Sequence, residues 1–293
     1  MRYDCTMPNL QQVPAGGGGP GNTVENPVSQ IAYYTLGVRV WDAARRHPVA
    51  QDGYAKKLVS AESRRIWERF RRFTQQNGAN AAGHRIISDL VQAQLTSDPE
   101  RRVIVIGCGF DTRAFRLTGG RWVEVDEPAI LAIKDTKLPA SHARNELVRI
   151  PIRFDLAYIE DRLSSFATSE RTLVVVEGVL TYLSHNQVRE LAASLKALFP
   201  RHTLYCDLMG KSYFDKYGHA LYKEIRALGA HFPPMSEEPE KLFEGEGYLV
   251  ANSFSVPLRG AELGSMRIPV FLVRLLRGLR DGYRIWQLEY NRW

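Results

Sequence analysis

Apolar residues at helical spacing dominate the first third of the chain. The pattern begins at Ser29-Gln30-Ile31-Ala32-Tyr33-Tyr34-Thr35-Leu36, returns between Ala50 and Phe73, and reappears across residues 86–95. Asp98-Pro99-Glu100 makes a turn, and the period then changes. Val103-Ile104-Val105-Ile106 is a short, unbroken and mostly aliphatic run, the signature of a strand buried on both faces. Similar runs at 122–126, 147–152, 173–176 and 202–208 predict four more strands. Helical patterns lie between them. Pro128 opens one, and Ser184 with Gln187 three residues on caps another that runs through Val188, Leu191, Leu195 and Leu198 to Pro200. Strands alternating with helices predict an α/β fold, a mostly parallel sheet with helices on both faces and right-handed crossovers. Residues 283–290 read as a closing strand. Before it, residues 270–280 are apolar with basic punctuation, which a helix on the sheet explains better than membrane-surface binding.

Composition adds limits. With 293 residues, 44% hydrophobic and 10% aromatic, the chain can bury a large core. Gly16-Gly17-Gly18-Gly19-Pro20-Gly21 marks residues 1–25 as a flexible tail. A helical cap over 26–100 then precedes an α/β core over 101–293. Within that core an aromatic insertion at about 211–246, with Tyr213, Phe214, Tyr217, Tyr222, Phe232 and Phe243, is expected to join the cap in a helical lid. The N-terminus lacks the apolar segment of a secretory signal, and no run reaches about 18 apolar residues. Cys5, Cys108 and Cys206 are far apart, without metal-ligand spacing. Free thiols, no metal and a cytoplasmic location are therefore expected. The net charge of +7 permits a polyanionic partner, but the densest basic stretch, residues 63–73, places Ile66, Phe70 and Phe73 at helical spacing. It reads as an amphipathic helix with a solvated basic side, and no nucleic-acid motif accompanies it. Neither nucleic acid nor membrane is expected as a partner.

The chemistry concentrates where the strands end. Gly107-Cys108-Gly109 follows the first strand, and such a turn alone needs no ligand. Asp126 closes the next strand about 20 residues later, where nucleoside-binding folds place the carboxylate that accepts from ribose hydroxyls. Glu177 closes another. Singly, Asp126 could be a helix N-cap before Pro128 and Glu177 a solvated strand end; with the glycines, they point to a nucleoside ligand at the carboxyl edge of the sheet. Thr112 stands where a nicotinamide-binding loop has its third glycine, which argues against that cofactor.

Gly107-Cys108-Gly109-Phe110-Asp111-Thr112-Arg113, Glu124-Val125-Asp126-Glu127-Pro128 and Glu177-Gly178-Val179-Leu180-Thr181-Tyr182-Leu183 together resemble the leucine carboxyl methyltransferase-like family of S-adenosylmethionine-dependent O-methyltransferases, in its bacterial small-molecule and polyketide branch. The resemblance covers residues 85–207. It implies a class I methyltransferase, Rossmann-like fold of seven strands, with S-adenosyl-L-methionine as cofactor. Carried onto matching positions, it sets Gly107 and Gly109 against the methionine part, Asp126 on the ribose, Asp155 near the adenine, Glu177 by the sulfonium or the amino group, and Arg85 on the methionine carboxylate. Asp111 and Arg113 read either as site groups, with Arg113 catalytic, or as a structural loop network. Tyr182 either orients the acceptor or packs over the cofactor. The expected reaction is methylation of a small natural-product-type acceptor. A carboxylate acceptor needs no general base, and none of His84, His185, His202, His219 and His231 has a motif context, which favours a carboxylate over a phenol or hydroxyl. A protein C-terminal carboxylate and a cofactor-binding role without methyl transfer are the alternatives; a homodimer and an acidic carrier protein stay open as partners.

Overall fold

The computed structural model describes residues 27–153 and 159–291. The flexible tail expected over 1–25 and the adenine-side Asp155 lie outside them. The apolar periodicity of the first third forms α1 (Pro27–Ala43), α2 (Ala61–Phe70) and α3 (Thr74–Ser97). Helix α2 buries Ile66, Trp67 and Phe70. Its basic side is paired with acids: Arg65 with Glu62, Arg71 with Glu68, and both Arg69 and Arg72 with Glu224. Helix α3 runs 24 residues, well past the 86–95 stretch, because glycines that weaken a helix in isolation serve packing here. A Cβ at Gly78 would lie 2.1 Å from the carbonyl oxygen of Ser265, so the two backbones meet directly.

Seven strands form one sheet: β1 (Arg102–Ile106), β2 (Arg121–Asp126), β3 (Leu147–Pro151), β4 (Thr172–Val176), β5 (Arg201–Met209), β6 (Leu249–Ser255) and β7 (Tyr283–Asn291). Their order is β3-β2-β1-β4-β5-β7-β6, and only β7 runs against the rest. Strand alternation builds two cores. Val103, Val105, Trp122, Leu173, Val175 and Tyr205 pack on α1–α3; Ile104, Ile106, Val123, Val174, Leu204 and Leu288 pack on the opposite side with helix His185–Leu198. The sequence pattern of continuous apolar runs reflects this double burial. The predicted cap of the latter helix is present, with Ser184 and Gln187 exchanging both bonds of a capping box.

Two elements differ from expectation. Strand β6 was not marked by any apolar alternation, because it lies at the sheet edge with its first four residues exposed. The single helix expected before the closing strand is two short ones, Val270–Leu275 and Arg277–Asp281. Val273 and Leu279 pack with Tyr213 while Phe271 and Leu275 face outward. The aromatic segment after β5 forms helices Lys211–Tyr213, His219–Arg226 and Lys241–Glu244, with a π-helical turn at Phe214–Gly218. Phe214 stacks on Tyr222 at 4.1 Å, and Phe232 meets both edge-on. No helix among the described residues is long and apolar enough to cross a membrane.

The sheet order reverses between β1 and β4, which opens a crevice at their carboxyl ends. Alternation sends every second residue of a strand to the same face. Asp126, Glu177 and Asp207 stand two residues after Glu124, Val175 and Tyr205, so all three reach the end of the sheet on the face covered by α1–α3.

Candidate active site

The loop after β1 is bent by two glycines with left-handed backbones, Gly107 at φ 65° and Gly109 at φ 49°. The amides of Gly107 and Cys108 both donate to the Val125 carbonyl, at 2.9 and 3.1 Å, which folds the loop onto β2. Asp126 then receives the Gly109 amide at 2.6 Å and the Glu127 amide at 2.7 Å. Glu127, not Asp126, occupies the N-cap position of helix Pro128–Lys137. The carboxylate therefore belongs to the loop and its cleft. Burial pushes its pKa up to about 6, against the two amides that favour the ionised form.

An added Cβ at Gly109 would come within 3.3 Å of Ala32 on α1 while holding a backbone that L-residues avoid. Gly109→Ala is expected to lower the unfolding free energy by about 1–2 kcal/mol, the usual cost of a left-handed residue with a β-carbon. Denaturant titration followed by circular dichroism measures it; an unchanged midpoint refutes the account of the loop.

Behind the loop lies a buried ion cluster. Arg113, 1% exposed, donates to Asp111 Oδ2 and Glu177 Oε2, both at 2.6 Å, to Ser88 Oγ at 3.0 Å and to the His84 carbonyl at 3.0 Å. Both ring nitrogens of His84 face arginine donors, Nε2 facing Arg116 at 2.7 Å and Nδ1 facing Arg113 at 2.8 Å, and Nδ1 also stands 3.2 Å from Glu177 Oε2. Burial, then the charge of Arg113, lowers His84 to about 4 and keeps the ring neutral. Burial alone would raise Glu177, but Arg113 and His84 outweigh it and hold it at about 2. Asp111 is held well below the carboxylate range for the same reason, with Arg113 the main counter to burial. Arg113 is thus the hub of a buried loop network: it is not among the residues that line the cleft, and its donors are directed at protein groups.

Two adjoining spaces that share part of their lining lie in front. A polar cleft of about 270 Å³ is lined by Gly107, Gly109, Asp111, Asp126, Glu177 and Arg39. It adjoins a cavity of about 310 Å³ whose walls include Leu221, Ile225, Met235, Phe243 and Ile268. Gly178, Tyr182, Asp207 and Tyr283 border both spaces. The Tyr182 ring packs on Phe232 at 5.2 Å at this junction, where it can touch either occupant.

Arg85 does not line the cleft. It donates to Asp89 at 2.7 Å, because on α3 the inward phase belongs to His84 and Ser88, one and three residues away on the helix wheel. The arginine that does reach the cleft is Arg39 of α1, which bonds Asp52 and the Phe110 carbonyl, each at 3.0 Å. No local motif marks Arg39, whose place at the cleft depends on a contact across 71 residues. Asp207 was also missed. It stands near the end of β5, one residue past the Val176–Cys206 pair and so level with Glu177, and that shared position was the available signal.

Residues 32–196 match the leucine carboxyl methyltransferase family. A Frankia alni protein named as an S-adenosyl-L-methionine-dependent methyltransferase is 30% identical over 173 residues, which cover 55% of this chain and 61% of that protein. A Streptomyces coelicolor protein of the same description is 28% identical over 188 residues, covering 55% and 59%. The matches therefore span about three fifths of these relatives' own lengths. Among solved structures, a Thermobifida fusca protein described as a methyltransferase superposes with a TM-score of 0.60 over 93% of this chain and 98% of its own, at 15% identity. A Streptomyces avermitilis protein of a family without assigned function gives 0.59 over 90% and 97%, at 12% identity. Those two establish the class I methyltransferase fold, and the match over more than half of its length establishes that the chain belongs to the leucine carboxyl methyltransferase family.

Proposed function

We propose that the protein is an S-adenosylmethionine-dependent O-methyltransferase acting on a small, largely apolar acceptor. The observation that carries this reading is the pairing of the two spaces: a polar cleft edged by strand-end carboxylates shares the walls formed by Gly178, Tyr182, Asp207 and Tyr283 with an apolar cavity of similar size. The cleft suits the cofactor's chemistry. Its ribose hydroxyls are donors and match the buried Asp126 carboxylate. Its ammonium and sulfonium are cations and are favoured near Glu177 in a partly desolvated site. Gly107 and Gly109 let the loop backbone approach the methionine part without side chains in the way. Arg39 is the cation that reaches this cleft and would hold the methionine carboxylate, the role expected of Arg85.

When bound, S-adenosylmethionine supplies an electrophilic methyl group. The chain's contribution is alignment and exclusion of water. Tyr182, Gly178 and Tyr283 frame the passage where cofactor and acceptor meet, while the aromatic helices after β5 close the far side of the cavity. Calorimetry should show S-adenosylmethionine and S-adenosylhomocysteine binding in the micromolar range and NAD failing to bind. Transfer of labelled methyl to an acceptor should follow. Binding of neither methionine nucleoside sinks the reading.

A further inference from the structure

The boundary between cleft and cavity holds one carboxylate, Asp207, that is committed to neither the glycine loop nor the Arg113 cluster. Asp207, near the end of β5, accepts the Gly178 amide on Oδ1 at 2.7 Å and faces the Tyr283 hydroxyl through Oδ2 at 3.3 Å. It borders both spaces. Among the described residues, no lysine or arginine lines the apolar cavity; its other polar groups are amides, hydroxyls and His185. Arg226 stands over the rings of Phe214 and Phe232 and is not among the cavity-lining residues. A carboxylate acceptor would therefore enter an apolar space with no cation to receive it and meet Asp207 at the reacting end. Such a like-charge contact in a desolvated site costs several-fold to many-fold in affinity.

We infer that the acceptor is a neutral hydroxyl compound of the phenol or enol class, and that Asp207 is the general base that takes its proton. This rests on the methyltransferase reading. The O–H bond breaks with its proton passing to a carboxylate oxygen of Asp207, and the acceptor oxygen forms the new bond to the methyl carbon. The electron pair of the broken C–S bond stays on sulfur, which goes from sulfonium to neutral thioether.

The surroundings suit that role. Burial, with the Glu177 carboxylate nearby, pushes Asp207 up to about 6 despite the Gly178 amide and the Tyr283 hydroxyl. A base in that range is ionised at neutral pH and still proton-seeking. The titratable groups around it are Glu177 just past β4, Tyr182 from the turn that follows, Tyr222 from helix His219–Arg226, Tyr283 from β7 and Cys206 on its own strand. Burial raises all four of the tyrosine and cysteine groups, so they stay neutral beside it.

The test uses a shape-matched pair, 2-naphthol and 2-naphthoate, with the full chain. Calorimetry at neutral pH, with and without S-adenosylhomocysteine, should show the naphthol binding at least about tenfold tighter, and Asp207→Asn should narrow that ratio by admitting the naphthoate. Labelled-methyl transfer to 2-naphthol should give a base-stable ether and fall about 100-fold or more in Asp207→Asn. With S-adenosylmethionine kept saturating at every pH, so that its own binding does not shape the profile, the wild-type transfer rate should rise with pH through about 6, a limb missing from Asp207→Asn. Tyr283→Phe removes a donor to the ionised carboxylate and should move the limb to higher pH, an effect that simple misfolding of the first variant cannot mimic. Tighter naphthoate binding in the wild type overturns the inference, as does ether formation indifferent to Asp207→Asn, or binding of neither probe while S-adenosylhomocysteine binds. Failure of S-adenosylhomocysteine itself to bind overturns instead the methyltransferase reading on which the inference rests.

Discussion

Arg113→Met is expected to cost about 3–5 kcal/mol of folding free energy at neutral pH, the usual penalty for stranding buried charges when one partner is removed. The substitution keeps volume but leaves Asp111 and Glu177 facing each other behind the glycine loop, with Ser88 and the His84 carbonyl losing a donor. The pH dependence identifies the cause. Glu177 and Asp111 have folded pKa values below the ordinary carboxylate range, so their stabilisation by Arg113 is complete above that range and is lost as pH falls toward about 2. His84 is lowered to about 4, so the wild type is also penalised between its ordinary 6.5 and that value, where the unfolded chain takes up the proton first. Without Arg113, a protonated His84 can answer the two acids, and protonated acids need no cation. The deficit of the variant should therefore shrink on acidification. Urea titrations at about pH 7.5 and pH 5 compare the two proteins on either side of the free histidine value. Arg113→Met with Glu177→Gln should recover part of the loss. A deficit that grows in acid, or no deficit at neutral pH, contradicts the role of Arg113 as the hub.

The difference between what could and could not be read from the chain follows the reach of each interaction. Strands β1, β2, β4 and β5 announce themselves because a strand buried on both faces must be apolar at every position, and the Ser184–Gln187 cap because its partners lie three residues apart. Edge strand β6 carries no such obligation. Helix α3 extends well before the apolar stretch at 86–95, and the packing that accounts for its Gly78 is against Ser265, 187 positions away by chain number. The site divides in the same way. Gly107, Gly109 and Asp126 sit in one βαβ unit and were readable together. Arg39 and the His84–Arg113–Glu177 cluster depend on α1 and α3 folding over the sheet, a contact that no local pattern encodes. Arg85 and His84 are adjacent in sequence yet on different sides of a helix, and only the phase of α3 decides which of them meets the cleft. Asp207 is the instructive omission. Alternation from Tyr205 places it on the cleft side by the rule that places Asp126 from Glu124 and Glu177 from Val175, although no histidine or motif beside it marks the position.

Asp126→Ala should weaken S-adenosylhomocysteine binding by about 100-fold while leaving the fold nearly as stable as before. The first effect follows from losing two hydrogen bonds from ribose hydroxyls to a charged acceptor, each worth about 1.5–3 kcal/mol and only partly replaced by water. The second follows because two terms oppose. The alanine orphans the amides of Gly109 and Glu127, but it also removes a carboxylate whose ionisation is disfavoured by burial. For an acid with a raised folded pKa, the cost of keeping the charge appears as pH rises through the ordinary carboxylate range to about 6 and stays constant above it. Removing it therefore helps the variant most at neutral pH. Ligand binding carries the opposite sign: ribose donors favour the ionised form, so wild-type affinity should fall as pH drops below about 6, and binding near that pH should release a proton. Calorimetry in two buffers of different ionisation enthalpy detects the proton directly. Asp126→Ala should show neither the proton nor the acid limb. If the variant binds as tightly as the wild type, Asp126 is only the clasp of the glycine loop; if it loses affinity together with most of its folding stability, its binding and structural roles are one and the same.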